Sequence, residues 1–95
     1  MADQKYDPIH PGEILSEEFL APLGLSARKL AEAIHVPANR VTRLINGETR
    51  VTADTAIRLG RAFRTSPEFW MNLQSRYDLQ RAGDEKITPD IQAVG

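Results

Sequence analysis

Apolar residues recur at three- and four-residue spacings through the first eighty positions, and no alternating pattern appears, so the chain reads as helices without strands. Leu15 and Phe19, with Ile14 beside them, mark the inner face of a first helix from about Pro11 to Leu20, which Pro22 and Gly24 stop. Ser26 can N-cap a second helix, roughly Ala27 to Ile34, whose inner face holds Leu30 and Ile34. A third helix opens with Pro37 in its first position, runs to Asn46 and closes with Gly47. Thr52 caps a fourth, with Asp54 complementing its dipole and Ala56, Ile57, Gly60 and Phe63 facing inward. Ser66, Pro67 and Glu68 form a dense start signal for a fifth helix, 67 to about 81, with an apolar stripe of Phe69, Trp70, Leu73 and Tyr77. The expected fold is all-α, five short helices around one core, as a single domain over 1–95. Residues 83–95 read as a tail, or at most a short strand around Ile91 to Val94 if a partner chain pairs with it.

Residues 26–47 are the most informative stretch, because they fit a helix-turn-helix. Val36 plugs the turn, and small Ala31 sits where two steeply crossing helices must come close. His35 falls in the turn at a position that often takes positive φ, which histidine tolerates better than most residues. On the third helix Val41, Leu44 and Ile45 share one arc, while the opposite arc carries Asn39, Arg40, Thr42, Arg43 and Asn46. That outer arc bears hydrogen-bonding groups and no acid, the chemistry a helix needs to enter a major groove.

Charge sharpens this picture. The net charge of −1 conceals a basic middle: residues 28–64 hold eight basic and three acidic residues, a net of +5. Residues 1–27 have one basic and five acidic residues (−4), and 65–95 have three and five (−2). A basic middle is an electrostatic footprint for phosphate. Arg43 is the first choice for a base-edge contact, since its fork matches the O6 and N7 acceptors of guanine; Arg40 and Asn39 lie one turn nearer the helix N-terminus. Ser26, Arg28, Lys29, Thr42, Asn46 and Arg50 are phosphate candidates, which fix register but carry no sequence information. Arg58, Arg61 and Arg64 read as structural, with Asp54 placed i, i+4 to Arg58.

Catalysis finds no motif. His10 and His35 lack ligand-spaced partners, and there is no glycine-rich phosphate loop or nucleophile elbow, so neither enzyme chemistry, a metal nor a cofactor is expected. His10 precedes Pro11 and helps start the first helix. The chain has no cysteine, no signal-peptide pattern and no membrane-length apolar run, which suits the cytoplasm and argues against a membrane. A lone helix-turn-helix reads too few base pairs for tight binding, so a homodimer on a palindromic operator is expected. Its interface is placed on the segment 66–82, through part of Trp70, Leu73, Tyr77 and Leu79, a stripe that also reads as plain core closing the domain.

HPGEIL at 10–15, the run from Leu30 to Phe63 that contains VPANRVTRLING, and TSPEFWMNLQSRYDL at 65–79 resemble the HigA-type antitoxins, also known as VapI-like proteins, of the λ-repressor-like (XRE) helix-turn-helix class. The resemblance spans about residues 10 to 80, with SPEFWMNLQ its most specific part. It implies a dimer that represses its own toxin–antitoxin operon and neutralises a HigB ribonuclease toxin of the RelE-like class. Many XRE proteins carry Gln where this chain has Ala27 and Ser or Thr where it has Pro37, which shifts the reading load to Asn39, Arg40 and Arg43. RelE-like toxins are expected to be basic, so Glu13, Glu17 and Glu18 are candidates for toxin contact, as well as ordinary acids near a helix N-terminus. A stand-alone regulator with no toxin partner is the alternative.

Overall fold

The computed structural model describes residues 8–83 and 90–95, and the elements it forms there are all helical. Helix α1 begins where His10, in extended conformation, accepts a hydrogen bond on Nδ1 from the Gly12 N–H at 2.8 Å. Three segments then run on without a break: Pro11–Ile14 is α-helical, Leu15–Leu20 is π-helical and Ala21–Leu23 is α-helical. Pro22 therefore lies inside the helix and does not stop it, contrary to the expectation from sequence. The wider π turn, in which the Ala21 N–H reaches the Ser16 carbonyl, leaves Pro22 in the first turn of the last segment, where its missing N–H is not needed. Gly24, at φ 60°, ends the helix, and the Leu25 N–H closes back on the Leu20 carbonyl at 2.9 Å.

Helices α2 (Ala27–Ala33), α4 (Ala53–Phe63) and α5 (Pro67–Ala82) each start on a hydroxyl cap. Ser26 Oγ accepts from Lys29 N at 3.1 Å, Thr52 Oγ1 from Thr55 N at 3.3 Å and Ser66 Oγ from Phe69 N at 3.1 Å. Helix α3 (Ala38–Ile45) differs: Pro37 is its N-cap rather than its first residue, and it brings no side-chain bond. Its ψ of 147° holds the chain extended until α3 begins.

Leu15, Leu20, Leu30, Ala31, Ile34, Val41, Leu44, Val51, Ala56, Leu59 and Trp70 form the core. Two inward assignments change. Ile57 is 49% exposed, and Leu59 takes the inner place, because the buried arc of α4 is Thr55, Ala56, Leu59 and Gly60. Trp70 is fully enclosed: Phe19 and Phe69 each lie 5.0 Å from it between ring centroids, and its indole N–H donates to Thr65 Oγ1 at 2.8 Å. A ring sealed inside one protomer has no surface to offer another, so Trp70 leaves the list of interface candidates.

One contact sets the position of α3. A Cβ on Gly12 would drive into the Leu44 carbonyl oxygen, so the start of α1 rests directly on the backbone at the end of α3. Residues 91–95 carry no regular secondary structure, and Ile91 and Val94 are exposed.

Candidate nucleic-acid interface

The turn between α2 and α3 is built from the sequence upward. Ile34 ends α2, His35 adopts φ 62°, and the Val36 N–H returns to the Ala31 carbonyl at 3.0 Å. The left-handed residue reverses the chain in the few residues available, and Val36 packs against the core behind it. Arg58, from α4, ties this turn down by donating from Nη1 to the Ile34 carbonyl at 2.7 Å. The structural reading of Arg58 therefore holds, and its Nε also meets Asp54 Oδ2 at 2.9 Å.

With the turn fixed, α3 buries Val41 and Leu44 and turns every expected contact residue outward. Asn39, Arg43 and Asn46, at i, i+4 and i+7, form the ridge most remote from the core. Thr42 lies on one flank, with its hydroxyl donating to the Asn39 carbonyl at 3.3 Å. Arg40 lies on the other flank, next to α4, and its Nη1 bonds Asp54 Oδ2. Ser26, Arg28 and Lys29 stand exposed at the start of α2.

The sequence expects Arg58 to pair with Asp54, but not how the other arginines are matched with acids. Asp54 accepts from both Arg58 and Arg40, and those two bonds hold its carboxyl below the usual aspartate range, Arg58 contributing most. Arg43 Nε lies 3.6 Å from Glu48 Oε1. Arg50 Nη2 donates to Asp78 Oδ2 at 3.0 Å, and Asp78 Oδ1 accepts from Gln74 Nε2 at 2.9 Å. Gln74 Oε1 completes the chain by accepting the buried Val51 N–H at 2.7 Å. The Gln74 bond, then Arg50, lowers the Asp78 carboxyl. An amide one turn beyond Trp70, on the same inward arc of α5, was the available signal.

The remaining candidates are scattered. Leu73 and Tyr77 are half-buried, Tyr77 lying edge-on to the His10 ring at 4.8 Å, whereas Leu79 is 72% exposed. Burial holds His10 below the usual histidine range, against the opposing pull of a Thr49 backbone hydrogen bond and the Asp78 charge. Glu13, Glu17 and Glu18 are exposed along α1. Among the described residues no cluster of histidine or acid side chains could hold a metal, and no helix is long and apolar enough to cross a membrane.

Residues 17–70 match the family described as Helix-turn-helix. The chain is 49% identical over 83 residues to virulence-associated protein I of Dichelobacter nodosus, covering 87% of this chain and 77% of that one. It is 46% identical over 79 residues to antitoxin HigA-1 of Vibrio cholerae, covering 83% and 74%. Among solved structures, Pseudomonas aeruginosa antitoxin HigA with the higBA promoter superposes with a TM-score of 0.84 at 45% identity, covering 93% of this chain and 99% of that one.

Proposed function

Because the chain belongs to the helix-turn-helix family, among its HigA- and VapI-like members, we propose that it is an antitoxin that binds operator DNA through α3. The observation that carries this reading is the outward ridge of Asn39, Arg43 and Asn46: donors and acceptors on a helix whose opposite face is committed to the core. Arg43 and Asn39 read base edges from the major groove, with Arg40 beside them. Ser26, Arg28, Lys29, Thr42, Asn46 and Arg50 hold the flanking phosphates. The solved structure of Pseudomonas aeruginosa antitoxin HigA with its promoter, at 45% identity, supports a DNA-binding reading of this fold.

The protein acts as a homodimer on a palindromic operator and represses its own operon. The segment 66–82 supplies the dimer contact through Leu79, with Leu73 and Tyr77 where α5 leaves them partly open. Its second task is to neutralise a HigB-like, RelE-class mRNA-cleaving toxin, with Glu13, Glu17 and Glu18 of α1 facing the basic toxin.

Operator binding measured by fluorescence anisotropy over a salt series tests the DNA reading. The logarithm of affinity falls linearly with that of salt, by about 0.9 per neutralised phosphate. Arg43→Ala costs about 1–3 kcal/mol of operator discrimination and relaxes one base position, whereas Lys29→Ala weakens all duplexes alike. An operator preference untouched by Arg43→Ala overturns the contact assignment. For the toxin, co-expression with the neighbouring gene product should restore growth, and charge reversal of Glu13, Glu17 and Glu18 should abolish that rescue.

A further inference from the structure

Asp54 occupies a singular position, since it is the point through which α3, α4 and the turn of the motif are joined. One carboxylate oxygen accepts from Arg40 on α3 and from Arg58 on α4, and Arg58 in turn holds the carbonyl at the end of α2 at 2.7 Å. Arg58 is anchored at both of its ends, so Asp54 is anchored by Arg58, and Arg40 by Asp54. The side chain of Arg40 would otherwise be a freely rotating arm on the flank of the ridge. Held at Nη1, it makes no hydrogen bond at Nε or Nη2 among the described residues, which leaves those donors for another partner.

Resting on the DNA-reading role of α3 above, we propose that Asp54 is a specificity-determining positioning residue: it aims Arg40 at the duplex without touching DNA itself. An exposed acid beside a polyanion opposes binding in general. Asp54 therefore lowers affinity for all DNA while raising the share of binding that depends on sequence. Glu48 lacks this role, because among the described residues its carboxylate has no hydrogen-bond partner to anchor its 3.6 Å approach to Arg43.

The test selects a preferred motif from a randomised duplex pool with the wild-type protein, then with Asp54→Asn, Arg40→Ala and the double variant. Affinities for the selected duplex and for a scrambled duplex are measured for each. Asp54→Asn should tighten scrambled-duplex binding and reduce discrimination by about threefold to tenfold, a share of what one well-placed arginine provides. It should relax the same base position that Arg40→Ala relaxes, and add nothing in the Arg40→Ala background. Far-UV circular dichroism and thermal melts show whether each variant is folded, and Asp54→Glu serves as a second carboxylate that retains the charge. A selected motif unchanged by Asp54→Asn overturns the proposal, as does an equal loss with and without Arg40, even if the melting temperature falls. A wild-type protein that enriches no motif from the pool overturns the DNA-reading role itself, and the role of Asp54 with it; this outcome is distinct from a motif that persists in Asp54→Asn.

Discussion

On the outward ridge of α3, amides and guanidiniums stand in solvent, whereas the Gln74 amide of α5 is 2% exposed with both of its polar atoms bonded. The two regions use similar chemistry for opposite ends. Gln74 fixes the chain between α3 and α4 by accepting the Val51 N–H, a donor that water cannot reach. The ridge leaves its groups loosely matched, so they can exchange water for another partner at small cost. Substitutions around Gln74 should therefore register as stability, and on the ridge as binding.

Trp70→Ala is the largest test on the buried side. It should cost about 3–5 kcal/mol in a urea titration, a large part of the total for a domain of this size. Retained stability would mean that the stacked rings of Phe19, Phe69 and Trp70 contribute little to the fold. Gln74→Ala should cost about 1–3 kcal/mol, because the Val51 N–H then stays buried without an acceptor. Arg43→Ala should change the unfolding free energy by less than about 0.5 kcal/mol while it impairs operator recognition. A large stability loss there would erase the contrast. The smallest effect is pH dependence at His10. Its folded form favours the neutral ring, so its contribution is complete above the ordinary value of 6.5 and is lost as pH falls. The urea midpoint should drop between about pH 7.5 and pH 5.5, and His10→Asn should flatten that change.

Much of this was legible from the chain because it depends on neighbours in sequence. Ser26, Thr52 and Ser66 each cap the helix that follows them, His35 takes the positive φ of the turn, and Asp54 meets Arg58 one turn on. The polar arc of α3 was visible in its periodicity. What escaped depends on distant partners. Gln74 meets Val51 across 23 positions, and its place on the Trp70 arc marks it as inward without naming that partner. From sequence Pro22 reads as a stop because α geometry forbids it mid-helix, and the π turn before it removes the conflict. Ile57 and Leu59 exchange roles because two overlapping arcs of α4 share Ala56 and Gly60, and the arc that also holds Thr55 and Leu59 is the buried one.

The seat of α1 on α3 has a mechanical consequence. Where Gly12 meets the Leu44 carbonyl, main chain bears on main chain, and no flexible side chain lies between them to act as a cushion. A load applied to the acidic first helix is thus delivered stiffly to the tail end of α3, which makes this glycine a fulcrum for any grip on the N-terminal third of the molecule.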